Sequence, residues 1–453
     1  MTNPSQPNLL FILTDQQRWD TTGIHGNPLD LTPNFDRIAL EGTHLSNTFT
    51  CQPVCTPARA CLQTGMYATR SGVYRNGLPL PPESQTIAKI FKKSGYQTAY
   101  IGKWHLGTDE MIGPVSDQYR GGYDYWLASN VLEFTSDAYQ VRLFDNHEKP
   151  IELPGYRVDA LADAAIRYIN ANQTQPFFLF LSFLEPHFQN HRDDYPAPEG
   201  YAERYVGKWI PPDLAALGGS THQHIAGYYG MVKRLDEALG RITDALKSLH
   251  LDEKTIVVFT SDHGNHFKTR NNEYKRSCHE SSIRVPAAIT GPGFYGGGRI
   301  HELVSLIDFP PTLLEAFGFP IPPQMQGSSI IPLIQHQPVT WPKEVFIQIS
   351  ESQIGRAIRT KRWKYGVVAP DGDGWNEMGS NQYQDAYLYD LKSDPYELTN
   401  LVQLNSHHEV ANSLRKRLIQ RMVLAGEMAP IIEPHPDMIA NPMRFVYPEE
   451  IDN

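Results

Sequence analysis

Short apolar runs of β character, Asn8–Thr14, 177–183 and 255–260, lie far apart in this chain, and the long stretches between them carry helical periodicity. No other feature constrains the fold as strongly. Helical candidates with apolar residues at three- and four-residue spacing run over 86–94, 158–171, 223–249 and 309–317. Strands alternating with such helices predict an α/β fold, with a large, mostly parallel sheet sandwiched by helices on both faces. At 453 residues the chain accommodates one large domain or a large and a small one.

The pattern changes near residue 340, after the proline-rich stretch 320–323 and the segment 337–342. We therefore expect a catalytic α/β domain over 1–340 and a small C-terminal α+β subdomain over 341–453. In the latter, 345–349, 356–360, 363–368 and 386–391 read as short strands and 409–424 as one amphipathic helix, which predicts a small antiparallel sheet plus helix. The tail 430–453 reads as an irregular arm.

The net charge of -10, with no basic patch, argues against nucleic acid as a partner. No run approaches the roughly 18 apolar residues of a spanning helix, which argues against membrane insertion. Met1 to Pro7 carries no basic leader, and the apolar run Leu9 to Leu13 is too short for a secretory core, so the chain as given reads as cytoplasmic; a trimmed leader would make it periplasmic or secreted.

In an open α/β sheet, ligands gather beyond the carboxyl ends of the strands. Asp15 and Gln16 follow the first run, and Asp262 and His263 follow 255–261. Either aspartate alone would read as a cap for the following turn. Two such pairs point to a divalent cation: the oxygen donors favour Ca²⁺ or Mg²⁺, and the imidazole leans toward Mn²⁺. Of four cysteines, Cys51, Cys61 and Cys278 read as incidental buried thiols, and no zinc-ligand spacing surrounds them. Cys55 differs because it opens Cys55-Thr56-Pro57-Ala58-Arg59, a segment that also reads as a proline-started helix. Lys103 and His105 sit two apart at a strand exit among glycines, a credible anion site, and His187 follows another apolar run.

Assembled in order, these segments resemble the formylglycine-dependent (type I) sulfatases of the alkaline-phosphatase-like superfamily. The likeness includes Thr32-Pro33-Asn34-Phe35-Asp36-Arg37, Cys-x-Pro-x-Arg, Gly-Lys-Trp-His-Leu-Gly, Ser261-Asp262-His263-Gly264, and Lys275 with His279-Glu280-x-Ser282-x-Arg284. It continues through Asp394-Pro395-x-Glu397. The resemblance implies that a formylglycine-generating maturation enzyme oxidises Cys55 to formylglycine, whose hydrate attacks sulfur. It further implies that Asp15, Gln16, Asp262 and His263, with the converted Cys55, hold the cation, Ca²⁺ in first place and Mn²⁺ or Mg²⁺ as alternatives. Arg59 and Lys103 would orient the nucleophile, His105 would act as base in releasing sulfate, and His187 with Lys275 would bind the substrate and serve the leaving oxygen.

Ala58, Gln16 and His263 depart from the commonest family residues, and the loop after Gly264 is polar and basic where glycines are usual. From that loop His266 and Arg270 are expected to grip a carboxylate or second sulfate of a saccharide. Trp104 and Trp126 are expected to be exposed and to stack on a sugar ring. The expected activity is hydrolysis of a sulfate ester, on a saccharide in preference to another small ester. The alternative is a phosphonate monoester or phosphodiester hydrolase of the same superfamily.

Overall fold

Leu9, Phe11 and Leu13 of the first strand are buried in one apolar cluster, and Leu10 with Ala99, Ile101 and Ile12 in another on the opposite face of the sheet. A strand coated on both faces is what its continuous apolar run requires, and each such side chain removed from water contributes about 1.5–3 kcal/mol. The computed structural model describes residues 6–450 apart from 442; most of the segment Met1 to Pro7 and the end of the tail lie outside the described residues.

The large sheet has ten strands. At its centre Asn8–Thr14 runs parallel to Phe177–Ser182 and to Thr255–Ser261, and Gln97–Lys103 runs parallel to Phe177–Ser182 and Tyr125–Ser129. Antiparallel strands flank these, Ala287–Thr290 on one side and Val141–Phe144 on the other. Helices Arg157–Ala171 and Thr221–Ser248 supply apolar residues to one face, and Cys55–Thr64, Ile87–Lys93 and Phe309–Ala316 to the other.

Register decides where the polar strand ends fall. Leu13 pairs with Ser182, Thr14 with Ser261, and Gly102 with Ser182. The residues that follow, Asp15, Asp262 and Lys103, therefore leave the sheet along one edge. Gly102 makes the close approach possible: with φ +107°, a Cβ there would lie 1.9 Å from the Ser182 carbonyl oxygen.

A second sheet holds Glu344–Ile349, Gly355–Thr360, Trp363–Val368 and Gln382–Asp390 in antiparallel order, and helix His408–Ala425 packs on it. The expected irregular tail is corrected in part, because Ile431–Glu433 adds a parallel edge strand to Gln382–Asp390. A three-residue strand is too short for its periodicity to show in sequence. Among the described residues no helix is long and apolar enough to cross a membrane.

Candidate active site

Cys55 lies in the first turn of the helix Cys55–Thr64, whose residues are all buried. Cys55 and Arg59 are four apart and so share one face of the helix; this is the physical content of the Cys-x-Pro-x-Arg spacing. Arg59 donates from Nη2 to Asp15 Oδ2 at 3.0 Å and from Nε to Asp262 Oδ2 at 3.1 Å, and its Nη1 reaches the Lys103 carbonyl and Ser182 Oγ, both at 2.8 Å. One guanidinium thus ties the ends of four strands to the helix.

Four groups converge on the Cys55 sulfur: Lys275 Nζ at 2.8 Å, His263 Nε2 at 3.4 Å, Asp15 Oδ1 at 3.7 Å and Lys103 Nζ at 3.8 Å. Burial acts to raise the thiol pKa, but Lys103, Lys275 and His263 outweigh it and hold Cys55 well below its ordinary value. Burial alone would discharge Lys103 as well. Asp15, Cys55 and Glu133 instead hold it above its ordinary value, with Nζ 2.8 Å from Asp15 Oδ2 and 2.9 Å from Glu133 Oε1.

Hydrogen bonding fixes two histidine tautomers. His263 Nδ1 lies 2.9 Å from the Gly264 carbonyl and His187 Nδ1 lies 2.7 Å from the Phe188 carbonyl. A carbonyl oxygen only accepts, so each Nδ1 carries hydrogen. Unless protonated, both Nε2 atoms then present lone pairs to the site. Burial first, and Lys275 second, lower the His187 pKa, which keeps the ring neutral at neutral pH.

The donors suit a cation. One ligand atom from each of Asp15, Cys55, Asp262 and His263 lies within 4.8 Å of all the others. Gln16 stands beside them with both amide atoms buried and unpartnered, a state that costs about 1–3 kcal/mol unless something satisfies it. Burial and the neighbouring Asp15 push the Asp262 carboxyl up to about 6, the strain of two buried carboxylates that a divalent ion relieves. Gln16 and His105 also hold left-handed backbone, φ 69° and 57°, at roughly 1–3 kcal/mol each.

From this cluster Cys55 opens into a cavity of about 380 Å³ lined also by His105, Asn130, Glu133, His187, Phe188, Tyr274 and Lys275. The family profile for sulfatases matches residues 7–319. The chain belongs to the sulfatase family. A second profile, that of the N-sulphoglucosamine sulphohydrolase C-terminal region, matches residues 272–423. An ulvan-active sulfatase of Formosa agariphila is 31% identical over 94% of this chain and 82% of its own. An N-acetylglucosamine-6-O-sulfatase of Bacteroides thetaiotaomicron is 25% identical over 87% of this chain and 82% of its own. The crystal structure of the yidJ protein of Bacteroides fragilis superposes with a TM-score of 0.82 at 26% identity, covering 94% of this chain and 97% of that one. This sulfatase is a sulfuric ester hydrolase with the alkaline-phosphatase-like fold.

In this sulfatase Asp15, Gln16, Cys55, Arg59, Lys103, His105, His187, Asp262, His263 and Lys275 all lie at the one site. Two expected substrate contacts lie elsewhere. His266 is buried, with Nε2 on the Lys275 carbonyl at 2.9 Å. Arg270 donates to the carbonyls of Tyr396 and Glu397, each at 2.8 Å, and so fastens the basic loop to the second sheet's connections. Trp104 and Trp126, expected exposed, are 0% and 1% exposed and pack edge-on against each other beside Tyr100. Glu133, which sequence reasoning missed, flanks Lys103 and has a second carboxylate oxygen that is buried and unpartnered. A lone glutamate in a connecting segment carries no periodicity or motif that would expose it.

Proposed function

We propose that this sulfatase hydrolyses a sulfate ester carried by a saccharide, using formylglycine made from Cys55 by a maturation enzyme and a divalent cation held by Asp15, Gln16, Asp262 and His263. The observation that carries the reading is the convergence on the Cys55 sulfur of two lysines, a bare imidazole nitrogen and a carboxylate. Support for a saccharide comes from the relative that acts as an N-acetylglucosamine-6-O-sulfatase. Ca²⁺ is the favoured ion because the donors are mostly oxygens, and His263 leaves Mn²⁺ or Mg²⁺ as alternatives. We assign catalysis to residues 1–340 and treat 341–453 as a subdomain.

When present, hydrated formylglycine supplies an oxygen nucleophile for sulfur, and the cation neutralises negative charge on the sulfate oxygens. The chain's own groups do the rest. Arg59 fixes Asp15 and Asp262 so that both keep their ligand oxygens turned to the site. Lys103 and Lys275 supply fixed positive charge around the sulfate without reorganisation, the largest usual source of rate enhancement in such sites. Lys275 donates to the bare Nε2 of His187 across 3.2 Å, so the imidazole holds the ammonium in place and Lys275 can deliver its proton to the departing alkoxide. His105 lines the same cavity and serves as the base that takes the proton when sulfate is released.

Matched sulfate and phosphonate monoesters of one alcohol test the reading. The expected result for the matured enzyme is a kcat/KM for the sulfate at least about a hundredfold higher, equivalent to roughly 2.7 kcal/mol in the transition state. The reverse order would make the protein a phosphonate hydrolase on the same frame.

A further inference from the structure

The floor and the rim of the active-site cavity differ in character. Cys55, His187 and Lys275 on the floor are 1%, 3% and 4% exposed, whereas Ile112, Phe134 and Trp375 on the walls are 46%, 60% and 45% exposed. The anionic end of a substrate meets buried positive charge, and whatever carries the sulfate meets an opening where exposed apolar side chains stand beside Asp109, Glu273 and Arg276. Trp375 comes from the second sheet, on the loop 369–381 between Trp363–Val368 and Gln382–Asp390.

That loop is fastened from several sides. Asp373 Oδ1 accepts from the backbone N–H of Trp375 at 2.9 Å and of Asn376 at 3.3 Å, and its Oδ2 accepts from the Asn376 side chain at 2.7 Å. The Gly374 carbonyl accepts from Glu351 N–H at 2.7 Å, and the Asn376 carbonyl from the Tyr74 hydroxyl at 3.1 Å, which bonds the loop to the large sheet's side of the cavity. A Cβ at Gly374 would lie 2.8 Å from the Gln353 backbone, so only glycine permits this seat. The Arg75 guanidinium stacks on the indole, 4.8 Å from its centroid, while nearly half of the side chain stays open.

We infer that Trp375 is the specificity-determining platform of this enzyme, stacking against the apolar C–H face of the sugar ring whose sulfate reaches Cys55. The inference rests on the saccharide reading above. A pyranose presents a face of C–H groups as well as hydroxyls, and burying that face on a flat aromatic ring is favourable without any charge. Because the loop is already held, little ordering entropy opposes binding. The division of labour follows: the parallel sheet performs chemistry at sulfur, and the C-terminal sheet reads the ring. It also replaces Trp104 and Trp126, which are buried, as the stacking group.

The test is steady-state kinetics of the matured enzyme on a panel of O-sulfated hexoses, hexosamines and hexuronates, comparing wild type, Trp375→Ala and Trp375→Phe. Losing the platform removes binding common to ground and transition states, so Trp375→Ala should raise KM roughly tenfold or more with kcat held within about threefold, and Trp375→Phe should recover most of the loss. Should the alanine variant melt lower, the phenylalanine variant, which keeps a ring under Arg75, carries the comparison by its intermediate KM. A KM within about twofold of wild type in both variants, or a fall confined to kcat, overturns the inference alone. A wild-type enzyme that turns over no sulfated saccharide, while hydrolysing an aryl sulfate, overturns the saccharide reading and the inference with it.

Discussion

At the residue scale the site is a balance of buried charges. Arg59, Lys103 and Lys275 face Asp15, Asp262 and Glu133, and each would be costly to bury unpaired. Glu133 shows the sign of the balance most clearly. Burial acts to raise its carboxyl, but Lys103, followed by His105 and His187, lowers it from 4.5 to about 2. A carboxyl lowered on folding contributes stability that is fully present above its unfolded value and is lost as pH falls toward its folded value. For a move from 4.5 to about 2 that contribution is on the order of 3 kcal/mol. Glu133→Gln should therefore flatten the acid limb of stability between pH 4.5 and about 2 in urea titrations taken at several pH values; an unchanged limb would contradict the pairing. The sequence made Asp15, Asp262 and Cys55 visible because each follows a strand run or sits in a spaced motif. It concealed Glu133, whose role arises only when Gln97–Lys103 and the segment after Tyr125–Ser129 come together in space.

At the element scale the connections decide which polar residues meet substrate. The strand exits were legible because parallel strands must be apolar on both faces and then stop. The loop after Gly264 was not, since a basic loop reads alike whether it binds an anion or a neighbouring carbonyl. Arg270 does the latter. Nearby, Glu280 pairs with Arg359 at 3.2 Å and with Lys364 at 2.8 Å, and Lys364 also reaches Glu397 at 2.5 Å, so the His279-Glu280 motif joins the two sheets through buried charge. Arg270→Ala should cost about 1–3 kcal/mol of stability, read as a lower melting midpoint, because two charge-assisted bonds are lost. Its KM for a sulfated sugar should stay within about twofold. A raised KM with an unchanged midpoint would return Arg270 to the substrate site. The two tryptophans failed as stacking groups for a related reason: aromatic residues at a strand exit look alike whether the next layer covers them or not, and here Tyr100 and Tyr123 cover Trp104.

At the scale of the whole molecule, the ten-stranded sheet brings one cysteine, its cationic neighbours and a set of cation donors to a single edge, and the smaller sheet supplies part of the cavity wall through Trp375. The sulfatase family assignment accounts for the first arrangement, and the chemistry proposed for Cys55 is what gives it a purpose. A thiol in this place would be a reactive, low-pKa nucleophile of the ordinary kind, so the converted side chain is the point on which the account turns. The most direct measurement co-expresses the protein with increasing amounts of a formylglycine-generating enzyme, quantifies converted Cys55 by mass spectrometry, and measures sulfate released from a sulfated saccharide. The account predicts a rate proportional to the converted fraction and no release from Cys55→Ala. Release at full rate from protein whose Cys55 is still a thiol would contradict it.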